Sequence, residues 1–105
     1  MTEITDLGNG HYAIAGELTF STAGDVLEQS KEMFSDHTQL EVDLAGVTQS
    51  DSAGLALLLE WVNWAKHDVR EIKYLNMPKE IRAIAEISEV EDLLQAGERW
   101  TGATP

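Results

Sequence analysis

Cysteine is absent from the 105-residue sequence, and basic residues are scarce. Without cysteine the chain forms neither disulfide bonds nor thiolate metal sites, which suits a reducing compartment. Only 7 lysines and arginines stand against 19 aspartates and glutamates, so the formal net charge is -12. A surface of this charge repels nucleic-acid phosphates and anionic lipid headgroups. The composition therefore argues against a nucleic-acid-binding protein, and the acidity serves either solubility or docking to a basic partner.

Long apolar runs are missing as well. The longest covers residues 55–59, whereas a membrane-spanning helix needs about 20 apolar residues. The first ten residues lack the basic and apolar regions of a signal peptide. We therefore expect a cytoplasmic protein without direct membrane insertion. Its length predicts a single domain over residues 1–95, followed by a flexible C-terminal tail over residues 96–105.

The arrangements that carry catalysis are not found in the sequence. His11, His37 and His67 stand in separate segments, without the HxxxH or HExxH spacing of metal sites. No GxxxxGK[ST] or GxGxxG motif occurs, which argues against nucleotide hydrolysis. Ser52 lies outside any GxSxG motif, and no histidine stands at a spacing that would suggest a base. We expect a protein that is not an enzyme and that uses neither a metal nor a cofactor.

The hydrophobic pattern alternates between strand and helix periods. Strand-like alternation and turn signals predict four strands, over residues 1–7, 11–16, 40–44 and 70–75. Helical spacing predicts three helices, over residues 22–34, over residues 53–66 and from Pro78 onward. The Gly8-Asn9-Gly10 turn joins the first two strands as an antiparallel hairpin. This order predicts an α/β fold, a mixed sheet of about four strands with helices packed on it.

The start of the second predicted helix contains more candidate N-cap and small residues than capping alone requires. Asp51 and Ser52 are both good N-cap residues, because their side-chain oxygens accept hydrogen bonds from the first backbone N–H groups. Ala53 and Gly54 are small and would let a partner's backbone or an anion approach those N–H groups. A plain capped helix explains one of the two capping residues. It does not explain both of them followed by Ala-Gly, which favours a binding loop.

The same helix has an unusually wide apolar face. Leu57, Trp61 and Trp64 recur at i, i+4 and i+7, beside the stripe that faces the core. Either neighbouring elements bury the helix on both sides, or one tryptophan is an exposed anchor for a partner, a common role of this residue. Our hypothesis is that the loop and at least one tryptophan form the partner face.

The sequence resembles a known family in this region. Asp51-Ser52-Ala53-Gly54-Leu55, after the Val42-Asp43-Leu44 strand, is similar to the signature loop of STAS domains, which include anti-sigma-factor antagonists and sulfate-transporter tails. The continuation over residues 54–59, the Trp64-Ala65-Lys66 segment and residues 16–20 resemble one subgroup. That subgroup is the STAS subunit of Mla-type ABC transporters, the toluene-tolerance type, which move phospholipids.

The resemblance implies a regulatory and assembly subunit, peripheral to the inner membrane. Its partner would be the cytoplasmic ATPase, and through it the permease, of a phospholipid transporter that maintains outer-membrane lipid asymmetry. Ser52 maps onto the hydroxyl residue at this contact, and also onto the serine that an anti-sigma factor kinase phosphorylates in the sigma-regulating branch. The alternative is therefore an anti-sigma-factor antagonist switched by phosphorylation of Ser52. A third possibility is a loop that binds a small anion or nucleotide. The predicted partner-binding residues are Asp51, Ser52, Ala53, Gly54, Leu57, Trp61 and Trp64.

Overall fold

The computed structural model describes residues 2–90 and contains the predicted order of elements. The four strands are β1 (Glu3–Gly8), β2 (His11–Leu18), β3 (Gln39–Ser50) and β4 (Glu71–Leu75). The three helices are α1 (Ala23–Phe34), α2 (Ser52–His67) and α3 (Lys79–Ile87). The end of the predicted domain and the predicted tail over residues 96–105 lie outside the described residues.

The strands form one mixed sheet in the order β1-β2-β3-β4. β1 and β2 pair antiparallel, as the turn at residues 8–10 predicts, while β3 is parallel to both β2 and β4. Helices α1 and α2 are the crossovers between the parallel strands. Because such crossovers are right-handed, both helices lie on the same face of the sheet and run in the same direction. The prediction of a four-stranded mixed sheet with packed helices is confirmed.

The hydrophobic core lies between this face of the sheet and the helices. Alternate strand residues are buried, among them Ile14, Val42 and Ile72, and their neighbours of opposite parity, such as Lys73, are exposed. Tyr74 donates a hydrogen bond from its hydroxyl to the Leu58 carbonyl of α2 at 2.6 Å. Burial raises the pKa of this hydroxyl well above its usual value of 10. The hydroxyl therefore stays protonated and ties the sheet to the helix layer.

Strand β3 is longer than the sequence predicts. The prediction ends at Leu44 and assigns a loop up to Asp51, whereas the strand continues to Ser50. Its second half pairs with β2, with Gly46 opposite Ala15 and Ser50 opposite Leu18, across two register shifts. A Cβ at Gly46 would lie 2.9 Å from the Ile14 carbonyl oxygen, so the glycine serves close strand packing rather than a turn. The predicted loop is wrong, and β3 leads directly into α2.

Candidate functional site

Asp51 is the residue that organises the start of α2. Its Oδ1 accepts hydrogen bonds from the backbone N–H groups of Ala53 at 2.8 Å and Gly54 at 3.4 Å. Its Oδ2 accepts a third from the backbone N–H of Phe20 at 3.1 Å. The carboxylate thus caps the helix and fixes it to the segment between β2 and α1. It also occupies the N–H groups that an anion or a nucleotide phosphate would use, which argues against an anion-binding loop.

Ser52 is the first residue of α2 and is exposed. Asp51 and Ser52, the two candidate caps in the sequence, therefore have different roles. Asp51 is the N-cap, and its side chain makes the capping hydrogen bonds. Because the cap is supplied by Asp51, the local fold does not depend on the Ser52 hydroxyl, and the residue is exposed at the start of α2.

Gly54 has a structural role that the sequence does not indicate. We expected its small size to admit a partner's backbone, but the residue is buried. A Cβ at this position would lie 2.5 Å from the Leu18 carbonyl oxygen and 3.1 Å from the Leu18 Cβ. The missing side chain lets α2 approach the end of β2. Close packing against β2 therefore accounts for the glycine without a partner, and its predicted contact with a partner stays a prediction.

The segment between β2 and α1 presents the most exposed aromatic side chain among residues 2–90. Thr22 accepts a hydrogen bond from the Thr19 N–H at 3.0 Å and donates one to the Glu17 carbonyl at 2.8 Å, which holds the turn. Phe20 lies within it and is 87% exposed. In the sequence this residue is notable only as part of the family resemblance over residues 16–20. Some apolar residues near a helix start pack on that helix and others do not, so the exposure of Phe20 could not be predicted from the sequence.

Phe20 borders a shallow apolar groove between α1 and α2. We call it the Phe20 groove, and its lining residues are Phe20, Ala23, Gly24, Leu27, Ala53, Ala56, Leu57 and Glu60. Small residues form most of the two walls, and Leu57, which is 4% exposed, lies at the floor. Exposed apolar surface beside small residues is typical of a site that receives an apolar side chain of another protein.

Trp61 is not an exposed anchor. Its side chain is 2% exposed and packs against Phe34, with 5.2 Å between ring centroids. Its indole Nε1 donates a hydrogen bond to the Ser30 hydroxyl at 2.9 Å, and Ser30 in turn donates to the Leu27 carbonyl at 2.7 Å. Of the two readings of the wide apolar face, burial on both sides is correct for Trp61 and Leu57.

Trp64 lies between the core and the surface. The residue is half-buried, and the Arg70 guanidinium carbon is 4.9 Å from the centroid of its ring. Phe34 covers another side of the ring, with 6.1 Å between centroids. Trp64 therefore keeps part of its surface accessible, on the same pair of helices as the Phe20 groove.

Other kinds of site find no support among residues 2–90. No group of three or more histidine, aspartate or glutamate side chains in this range is placed to hold a metal ion. His11 begins β2 and His67 ends α2, so both lie at the opposite end of the domain from Ser52. None of the helices in this range is long and apolar enough to cross a bilayer.

Solved structures share this fold at low sequence identity. The structure of the anti-sigma factor antagonist SpoIIAA in its unphosphorylated form matches with a TM-score of 0.63 and 16% identity, over 83% of each chain. The phosphorylated form of the Bacillus cell fate determinant SpoIIAA matches with a TM-score of 0.66 and 16% identity, over 89% of this chain and 87% of that chain. A structure described as Mglu matches with a TM-score of 0.56 and 20% identity, over 73% of this chain and 19% of that one. These likenesses establish the fold.

No curated protein matches the sequence significantly. A family model described as "Mlab, STAS domain" matches residues 6–95. STAS domains are generally non-enzymatic binding and regulatory domains that mediate contacts between proteins. Because this match spans most of the sequence and agrees with the fold, the chain belongs to the STAS-domain family.

Proposed function

We propose that the chain is a non-enzymatic regulatory and assembly subunit that binds the cytoplasmic ATPase of an ABC-type phospholipid transporter maintaining outer-membrane lipid asymmetry. The observation that carries the proposal is the exposed Ser52 at the start of α2, on the same end of the helix pair as the Phe20 groove. The family description names Mlab, and residues 16–20 and 54–66 resemble the transporter subgroup. Through the ATPase the chain would lie close to the permease and the inner membrane.

The proposed docking surface is held in place before a partner binds. Asp51 fixes both the start of α2 and the Phe20 backbone, and Thr22 fixes the turn around Phe20. A surface that is already ordered loses little conformational entropy on association. Burial of the exposed Phe20 side chain would contribute about 1.5–3 kcal/mol. The net charge of -12 would favour a basic surface on the ATPase and speed the encounter.

A charge at Ser52 tests the proposal. We expect Ser52→Glu to abolish co-purification of the transporter ATPase, because a buried, unpaired carboxylate in an interface is costly. Ser35→Glu places the same charge just after the end of α1, away from the proposed surface, and is the matched control. Circular dichroism would establish that both variants are folded. Undiminished co-purification with folded Ser52→Glu would contradict the proposal.

The second candidate is an anti-sigma-factor antagonist switched by phosphorylation of Ser52. It is supported by the similarity to SpoIIAA, one of whose structures is of a phosphorylated form, and by the exposure of Ser52. Its partner would be an anti-sigma factor kinase. In this chain the Asp51 carboxylate already accepts from the N–H groups at the helix start. A phosphate beside it would gain little from the helix dipole and would act by blocking the docking surface.

Phosphate occupancy separates the two candidates. The transporter function requires Ser52 to stay unmodified while the complex is assembled, so mass spectrometry of the chain purified with the ATPase should find no phosphoserine at this position. The switch requires stoichiometric phosphate in one growth condition and none in another. Condition-dependent phosphate at Ser52, together with co-purification of a kinase in place of the ATPase, would establish the second candidate.

A further inference from the structure

A second depression lies farther along the same two helices. Its lining residues are Leu27, Ser30, Lys31, Phe34, Glu60, Trp61 and Trp64, and we call it the Trp64 pocket. It has a volume of about 150 Å³ and opens to solvent. The sequence predicts Trp61 and Trp64 as partner contacts but does not predict the pocket as a whole. Its lining residues come from two helices that are about 30 positions apart in the sequence.

The chemistry of the Trp64 pocket selects an apolar occupant. Leu27 and the half-buried Trp64 present its accessible apolar surface, and the buried rings of Phe34 and Trp61 lie beneath them. The buried polar side chain, Ser30, already accepts a hydrogen bond from Trp61 and donates one to the Leu27 carbonyl. It therefore offers no unsatisfied group to a polar ligand. An apolar cavity of about 150 Å³ admits a molecule the size of benzene, which corresponds to one phenylalanine or leucine side chain.

The pocket is adjacent to the Phe20 groove. Leu27 and Glu60 line both depressions, one from each helix. Along α2 the two sites extend from Ala53 to Trp64, which at 1.5 Å per residue is about 16 Å. This length equals about three turns of a helix, so one helix can span both sites.

The charges at the rim of the pocket indicate that the partner helix carries a basic residue. Glu60 is exposed at the junction of the two depressions. Lys31 at the rim has its Nζ 3.0 Å from the Glu28 carboxylate, so one exposed cation stands beside the two exposed carboxylates of Glu28 and Glu60. The rim therefore presents a net negative charge, which is complementary to a lysine or arginine on the partner.

We propose that one amphipathic helix of the ATPase lies along both depressions. It places an apolar side chain in the Phe20 groove, a phenylalanine- or leucine-sized side chain in the Trp64 pocket, and a basic residue between them against Glu60. This inference rests on the proposed function, because it names the partner element that the surface receives. It adds a second anchoring point that lies outside the Ser52 contact.

The test fills the pocket in the purified complex. Lys31→Trp places an indole at the rim, where it competes with the incoming side chain, and Lys79→Trp makes the same change at the exposed start of α3. We expect Lys31→Trp to raise the dissociation constant for the ATPase at least about tenfold, the size of a hot-spot contact. Lys79→Trp should leave it unchanged. The outcomes distinguish the two proposals, because unchanged affinity with Lys31→Trp but lost affinity with Ser52→Glu overturns only the pocket. If neither variant changes the affinity, both proposals fail.

A photoreactive side chain at position 31 identifies the occupant. With p-benzoylphenylalanine in place of Lys31, we expect the cross-link to fall on an ATPase segment with helical apolar spacing and a lysine or arginine within one turn. The same substitution at Lys79 is the control and should give no cross-link to that segment. A cross-link to a second copy of this chain, or to an ATPase segment without that pattern, would overturn the inference.

Discussion

Aromatic side chains lie at both ends of the α1–α2 helix pair, and they are exposed at one end and mostly buried at the other. We call the end with Phe20 and Ser52 the open end, and the end with Phe34, Trp61 and Trp64 the closed end. At the Ser52 end, Phe20 is 87% exposed, while at the other end Trp61 is 2% exposed. Hydrogen bonds from backbone N–H groups to the Asp51 and Thr22 side chains hold the open end without covering its aromatic ring. At the closed end the rings pack on one another. The Ser52 end thus presents an aromatic side chain that a partner can cover. At the other end the packed rings stabilise the fold, and of these rings the half-buried Trp64 contributes accessible surface to the Trp64 pocket.

The closed end is secured by more than hydrophobic burial. The Arg70 guanidinium lies over the Trp64 ring, and its Nη1 is within hydrogen-bond distance of the Phe34, Ser35 and His37 carbonyl oxygens. These carbonyls belong to the end of α1 and the turn after it, where helical hydrogen bonding stops. A single cation therefore satisfies the end of one helix while it covers an aromatic residue of the next.

Truncation of an aromatic side chain at each end should give the largest contrast. We expect Trp61→Ala to lower the free energy of unfolding by about 3–5 kcal/mol, because it removes a buried indole and the partner of Ser30. Phe20→Ala should change it by no more than about 0.5 kcal/mol, because the side chain is exposed. Urea denaturation measures both. A large loss of stability with Phe20→Ala would show that the open end also supports the fold.

Removal of the cation at the closed end should have the next largest effect. Arg70→Met keeps much of the side-chain length but removes the donors to the three carbonyl oxygens. Since hydrogen bonds to charged groups contribute about 1.5–3 kcal/mol, a loss of stability in this range is expected. Arg82→Met, at an exposed position of α3, is the control and should be neutral in the same urea titration. Equal effects of the two substitutions would show that the Arg70 hydrogen bonds do not stabilise the closed end.

A pair of glycines tests the floor of the open end. Gly54→Ala brings a Cβ to 2.5 Å from a backbone oxygen, and we expect it to destabilise the domain by about 1–3 kcal/mol. Gly24→Ala, in α1, meets no atom within 4 Å and should stabilise the helix by about 0.5–1 kcal/mol. Thermal melting of both variants would show opposite shifts. An unchanged or raised melting temperature with Gly54→Ala would mean that α2 does not depend on close approach to β2.

The smallest effect is expected just beyond the closed end. Val69 follows the C-cap of α2 with a φ of 55°, a conformation that β-branched residues rarely adopt. Because its side chain is 84% exposed, Val69→Asn should relieve the backbone strain without loss of packing. We expect stabilisation of up to about 1 kcal/mol. A decrease in the melting temperature would show that the valine side chain contributes contacts that outweigh the strain.

The sequence by itself determined the order of the elements, the mixed four-stranded sheet and the capped start of α2. These features follow from local patterns, namely the period of the apolar residues, the turn at residues 8–10 and the preference of Asp51 for a helix start. The exposure of Ser52 is compatible with its predicted place in a contact, which remains a proposal. The apolar arc of α2 was also visible in the sequence, but with two interpretations.

Only the tertiary structure decided which of these apolar residues are covered. Periodicity shows the side of a helix on which a residue lies, but the elements packed there decide how wide an arc is buried. Trp61 is buried because Ser30 and Phe34 of α1 meet it, and Gly54 is needed because the end of β2 passes within contact distance. The extension of β3 to Ser50 likewise depends on pairing with β2. Each of these outcomes depends on residues more than 25 positions away, which no local pattern in the sequence can represent.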